Sequence, residues 1–156
     1  MTFDRVILMV ACFLLTAMVG IGVYQHAVAF PFYLENPPAS FSRINQYGKS
    51  EVRFWVPVQA ATLIFLILSL IAVWGQTDLR KLILATIGCY LIVAAATAIY
   101  FAPAIIAWGK MDPNGPPLPE LKSAAHRWLI LSWLRQAILI VGSLLLWIGL
   151  AIYKGG

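Results

Sequence analysis

The chain has 156 residues, 62% of them hydrophobic and only 11% charged, with a formal net charge of +5. A soluble domain averages about 25% charged residues, so the composition excludes an ordinary water-soluble domain. The basic residues are scattered over polar segments rather than gathered in a patch, which speaks against a nucleic-acid partner.

Four apolar runs, at about 6–33, 54–75, 79–108 and 123–153, each reach the roughly 20 residues needed to cross a bilayer. Unpaired backbone groups are not tolerated in hydrocarbon, so these runs are read as helices. The expected fold is all-α: an integral membrane four-helix bundle, with 1–156 as a single domain. A long loop follows the first helix and a Pro/Gly-rich loop follows the third. The first run is read as a span rather than a cleaved signal peptide, because AVAFPFYLE continues apolar past any small-residue cleavage site.

In chain order, the first helix carries Thr16 and Gly20, a small-xxx-small pair that suits a close backbone approach. It ends with Tyr24, Gln25, His26 and, near its end, Pro31. The polar stretch Glu35–Arg53 contains Pro37, Pro38 and Gly48 and is read as a loop. Within it Phe41, Ile44 and Tyr47 recur every third residue, which predicts a short amphipathic turn on the membrane surface, roofing the bundle. The second helix opens on Trp55, carries Pro57 and Gln59, and ends at Trp74 and Gly75.

The tight turn GQTDLRK makes the second and third helices antiparallel neighbours. Tyr90, Thr97 and Tyr100 fall within about 80° of one another on the third helix at 100° per residue. GKMDPNGPPLPE then breaks the chain. On the last helix Trp128, Ser132 and Arg135 form one stripe, and Gly142 and Gly149 continue a close-packing seam. Cys12 and Cys89 lie in separate runs and read as small core residues, with no CxxC pair.

Arg135 is the residue around which the rest must be arranged. A guanidinium keeps its charge, and placing one near the centre of a spanning helix costs about 2.5–3.5 kcal/mol on the translocon scale. It is therefore expected to face the protein interior. No Asp or Glu lies within the four runs to pair with it, and Glu35 is the nearest acidic candidate. Four spans bring the first-to-second and third-to-fourth connections to one side. That side gathers Tyr24, His26, Gln59, Tyr100, His126, Ser132 and Arg135, while the other half is mostly aliphatic.

This asymmetry predicts a polar pocket roofed by the two loops and floored by Arg135, holding a hydrophobic small molecule. Its expected ligand-binding residues are Tyr24, Gln59, Tyr100, Trp128, Ser132 and Arg135. Two histidines at similar depth, His26 and His126, give an alternative reading as haem or metal ligands. No third ligand pattern accompanies them, so no cofactor or metal is predicted. Either histidine is also a candidate general base.

Helix 4, RWLILSWLRQAILIVGSLLLWIGL, the segment GIGVYQHAVAFPFYLENPPASF and the helix 3 end IYFAPA together resemble the anthrone-oxygenase-like family of four-span membrane proteins. The resemblance spans all four helices through short, degenerate motifs. It implies cofactor-independent oxidation of an anthrone-type substrate. Catalytic residues would then be His26, His126 and Arg135, with a histidine as base and Arg135 holding the enolate oxygen.

The competing class is a non-catalytic small subunit or scaffold working in a homo-oligomer or larger membrane complex. A transporter is disfavoured by the absence of an internal repeat and of a polar path through the aliphatic half. The expected location is a bacterial inner membrane with cytoplasmic termini. The flanking charges on the terminal side (Arg5, Arg80, Lys81, Lys154) and on the other side (Arg43, Lys49, Arg53, Lys110, Lys122, Arg127) do not separate cleanly.

Overall fold

Each apolar run is helical, and all four helices begin before the run that predicted them. In the computed structural model, which describes residues 2–153 apart from the side chain of Lys49, the helices are α1 (Phe3–Tyr33), α2 (Ser42–Ala72), α3 (Thr77–Gly109) and α4 (Pro119–Ile152). Lys154, counted above among the flanking charges, lies outside the described residues. All four helices are long and apolar enough to cross a membrane.

The helices form a ring in chain order, each packed on the next, with α4 closing against α1. The α3–α4 contact is the most extensive, and glycine makes it so. A Cβ on Gly142 would stand 3.1 Å from Cβ of Cys89, and one on Gly149 would stand 2.8 Å from Leu79. This is the seam that the seven-residue glycine spacing predicts. The expected Thr16–Gly20 approach does not form, because Gly20 has nothing near it. The close contact on α1 is instead Gly22, against the Gln136 side chain.

The segment read as a loop is corrected. After a 3₁₀ turn at Ala39–Phe41, α2 begins at Ser42 and runs unbroken through Gly48 into the span. The three-residue spacing is real, but it belongs to this extension rather than to a separate surface turn. Phe41 and Ile44 are buried, and Tyr47 stacks on Tyr33 at 6.0 Å. A Gly in a helix costs about 1 kcal/mol relative to Ala, too little to break a helix anchored by aromatic burial.

Two helices contain a π-helical turn: Gln25–Ala29 in α1 and Thr97–Phe101 in α3. Phe30 N–H donates to Gln25 O and Ala102 N–H to Thr97 O, each five residues back. Each turn ends two residues before a proline, Pro31 and Pro103. A proline ring clashes with the carbonyl four residues earlier and offers no N–H to it. Those carbonyls, of Ala27 and Ile99, sit inside the widened turns, which is where helix irregularity relieves the clash.

The core has two parts. The terminal-side half is aliphatic, built on Leu8, Leu15, Leu66, Ile83 and Leu146. Its buried hydroxyls are answered locally: Thr62, Ser69 and Thr86 each donate to the carbonyl four residues back. The opposite half is aromatic. Trp128 is fully buried, with Phe30, Phe101 and Trp108 ringing it at 5.0, 5.4 and 6.1 Å, and Phe41 stacks on Trp108 at 5.4 Å.

Candidate functional site

Where the roofed chamber was expected, the described residues pack as that aromatic cluster. The start of α2 and the end of α3 are joined beside it by Asn45, whose side-chain amide donates to the Gly109 carbonyl. Glu35, offered above as a partner for Arg135, pairs instead with Arg43 at 3.1 Å. Arg43 in turn caps the Phe32 ring at 3.8 Å. Below the aromatic layer lies the polar feature of the bundle.

A line of hydrogen bonds crosses three helices there. His26 Nδ1 lies 2.6 Å from the Gly22 carbonyl, and His26 Nε2 lies 2.7 Å from Ser132 Oγ. Arg135 donates through Nη2 to the same Ser132 Oγ at 3.2 Å and through Nη1 to Thr97 Oγ1 at 2.8 Å. Thr97 passes its own proton to the Val93 carbonyl at 2.6 Å. His26 and Ser132 are 2% and 0% exposed. The guanidinium rests 4.4 Å above the Phe101 ring, within cation–π range.

The π turns are what allow this line to form. His26 and Thr97 each sit on one, so the insertion that accommodates a proline also turns a polar side chain towards α4. The directions close consistently. The Gly22 carbonyl can only accept, which places a proton on His26 Nδ1 and leaves Nε2 to accept from Ser132. Ser132 Oγ keeps a lone pair for Arg135. Among the described residues no buried side-chain nitrogen or oxygen lacks a partner.

Gln136 supports the arrangement from behind. It is buried beside Gly22 and donates through Nε2 to the Val19 carbonyl at 3.0 Å. Trp128 Nε1 donates to Phe101 O, in the second π turn, at 3.3 Å.

Arg135 also has an open side. It lines a shallow groove of about 250 Å³ between α3 and α4, with Ile92, Ala96, Tyr100, Leu131 and Leu134 among the walls. Several of these walls are exposed on the outer face of the helix pair. Of the five guanidinium N–H groups, two are used within the protein. Three have no hydrogen-bond partner among the described residues, and the groove itself is lined almost wholly by apolar surface. Among the described residues no carboxylate pairs with Arg135; the ion pair present is the surface one between Arg43 and Glu35.

The expected site residues therefore separate. His26, Ser132 and Arg135 come together, and Tyr100 lines the same groove as Arg135. Trp128 stands in the aromatic core rather than at an opening. Tyr24 is 61% exposed on the outside of α1, because it precedes the π turn that rotates His26 inwards.

Gln59 offers its backbone carbonyl to the Tyr90 hydroxyl at 2.8 Å, away from Arg135. His126 is exposed on a face of α4 different from that of Ser132, six residues away. The two histidines thus form no ligand pair, and both nitrogens of His26 are already engaged. Among the described residues no group of three His, Cys, Asp or Glu is placed to hold a metal.

Thr97, Gly22, Gln136 and Phe101 were not singled out as site residues, although the first three carry the geometry. Thr97 and Gln136 had a signal: each is a polar residue within an apolar run, and Gln136 adjoins Arg135.

Fold and site together define a four-span integral membrane protein with a guanidinium built into the bundle beside a lateral apolar groove. Compared with family models, with curated proteins and with solved structures, the chain matches none.

Proposed function

We propose that the protein binds an apolar small molecule that enters sideways from the lipid and lays an oxygen acceptor against Arg135. One observation carries this reading. A charge held inside the bundle by Thr97 and Ser132 has three N–H donors left without a partner among the described residues. A buried or lipid-facing charge is costly unless it is paired, so an acceptor in the groove stabilises both itself and the bundle. The walls around it are almost wholly apolar, which suits a ligand drawn from hydrocarbon.

The geometry supports binding ahead of catalysis. The oxidation implied by the anthrone-oxygenase-like resemblance needs a base at the ligand, and His26 reaches the groove only through the Ser132 hydroxyl. Electron-rich phenols and their keto tautomers remain the first compounds to try for turnover.

Retention of a small molecule tests the proposal. The protein is purified from membranes without added ligand, extracted with organic solvent and compared with Arg135→Leu by mass spectrometry. We expect a compound near one per chain in the parent and little of it in the variant. A parent that carries nothing, with the variant identical, would favour the scaffold class.

A further inference from the structure

We infer that the loop side of the bundle is a hinged cap. The ends of α1 and α3, with the start of α2, swing off α4 about one layer of proline breaks, and the His26–Ser132 and Arg135–Thr97 hydrogen bonds latch them shut. The device needs no ligand and is independent of the binding reading above. Three observations carry it.

The first is that the breaks share a level. A proline takes the N–H from the carbonyl four residues earlier, here those of Ala27, Arg53 and Ile99, before Pro31, Pro57 and Pro103. Thr62 Oγ1 meets Met18 Sδ at 3.1 Å, which sets α1 and α2 side by side. From that contact Ala27 and Arg53 are each nine residues towards the loops, about 14 Å. The Tyr90 hydroxyl meets Gln59 O at 2.8 Å, and from there Arg53 is six residues and Ile99 nine residues towards the loops. The three breaks therefore fall within about 5 Å along the bundle axis. α4 crosses the same level unbroken, with no proline after Pro119 at its start.

The second is that the three ends are bonded to one another. Tyr33 donates to Glu51 at 2.9 Å and Arg43 donates to the Phe32 carbonyl, which joins α1 to α2. Asn45 donates to Gly109 O and Phe41 stacks on Trp108, which joins the start of α2 to the end of α3. Before their π turns α1 and α3 pack closely along α4. Beyond the turns their ends pack on α2 and on the 3₁₀ turn before it. From Pro119–Leu131 of α4, the one side-chain hydrogen bond to another helix among the described residues is Trp128 Nε1 to Phe101 O, in the π turn itself.

The third is where α4 holds the cap. His26 and Thr97 meet Ser132 and Arg135 from within the two π turns. A helix bends at such a turn by changing it, and a changed turn carries its side chain away from α4. Bond and bend are therefore coupled. The ends swing as the two bonds open, and opening frees the guanidinium and the imidazole together. The edge-on packing of Phe30 and Phe101 against Trp128 imposes no donor–acceptor geometry and permits sliding.

The test measures distances between paired spin labels in the full-length protein in phosphatidylcholine nanodiscs, with Cys12 and Cys89 replaced by alanine. One pair, Gln46→Cys with His126→Cys, reports the cap against α4 from exposed positions. The other, Ile71→Cys with Ile148→Cys, spans the terminal-side half, also from exposed positions. Gln46 lies seven residues from Arg53, about 10 Å, so a bend of about 20° gives the cap pair a component about 4 Å longer.

Thr97→Val and Ser132→Ala are each expected to raise the longer component over the shorter by about 3- to 10-fold, the range of one lost hydrogen bond. Thr97→Val alone decides the matter if Ser132→Ala does not fold. Ser69→Ala removes a buried hydroxyl bonded within its own helix and is expected to change neither pair. Pro31→Ala/Pro103→Ala, added to Thr97→Val, is expected to remove the longer component. A cap-pair distribution in Thr97→Val that superimposes on the parent's overturns the latch. Broadening of both pairs together overturns the cap as a separate body, and a longer component that survives the loss of both prolines overturns the hinge layer.

Discussion

Ser132 Oγ stands between two partners from different helices, 2.7 Å from His26 Nε2 on α1 and 3.2 Å from Arg135 Nη2 on its own helix. One hydroxyl therefore joins the imidazole to the guanidinium. Its proton answers the ring, and its lone pair answers the charge.

Replacing Ser132 by alanine removes both bonds at once. It leaves a buried ring nitrogen and a guanidinium N–H without partners, and such orphaned groups cost about 1–3 kcal/mol. Unfolding in mixed micelles should register a loss in that range. A change under about 0.5 kcal/mol, the size of an ordinary surface substitution, would show that Ser132 is not the joint.

Gly22 and Gly20 differ by two residues and should respond oppositely to alanine. A Cβ at Gly22 would meet the Gln136 carboxamide at 2.5–2.9 Å, whereas one at Gly20 meets nothing within 4 Å. Gln136 is 4% exposed and bonded to Val19 O, so moving it sacrifices that bond. Gly22→Ala is expected to destabilise by about 1–3 kcal/mol, as overpacking does. Gly20→Ala should be neutral or stabilising by up to about 1 kcal/mol, through helix propensity. Denaturation midpoints of the two variants, with Gly22→Ala/Gln136→Ala as the rescue, check the contrast.

The His26 ring should be a single tautomer. Because Gly22 O only accepts, nitrogen-15 spectra of histidine-labelled protein should show one ring protonated at Nδ1 and bare at Nε2. The exposed His126 serves as the reference for a solvent-averaged ring. A His26 signal in the Nε2–H form would mean that the hydrogen-bond line runs in the opposite direction.

Much of the fold was legible because hydrocarbon leaves few choices. Runs of about 20 apolar residues have to be helices, and the Gly142–Gly149 spacing names the face on which α3 packs. Arg135 turned inwards, as its charge requires. What escaped depended on two irregularities. The first is the pair of π turns, each of which breaks the 100° count. Tyr90, Thr97 and Tyr100 look like one stripe on a regular helix, yet Tyr90 meets α2, Thr97 meets Arg135 and Tyr100 lines the outer groove.

The second is the polar start of α2. Ser42–Arg53 lacks the hydropathy of a span, and Gly48 looks like a break, but burial of Phe41 and Ile44 in the aromatic cluster holds it helical. The polar chamber failed for a related reason. Counting polar residues on one side said nothing of how Trp108, Trp128, Phe30 and Phe101 would fill the space between them.

The most direct measurement is of the Arg135 guanidinium itself. In a proton–nitrogen spectrum of arginine-labelled protein in nanodiscs, the Arg135 Nε–H signal is the one lost in Arg135→Lys. It should shift saturably as decylbenzoquinone or dodecanoate, two apolar molecules that each carry an oxygen acceptor, is added. An Nε–H signal that stays fixed across the whole titration with both compounds would contradict a guanidinium poised to receive a ligand.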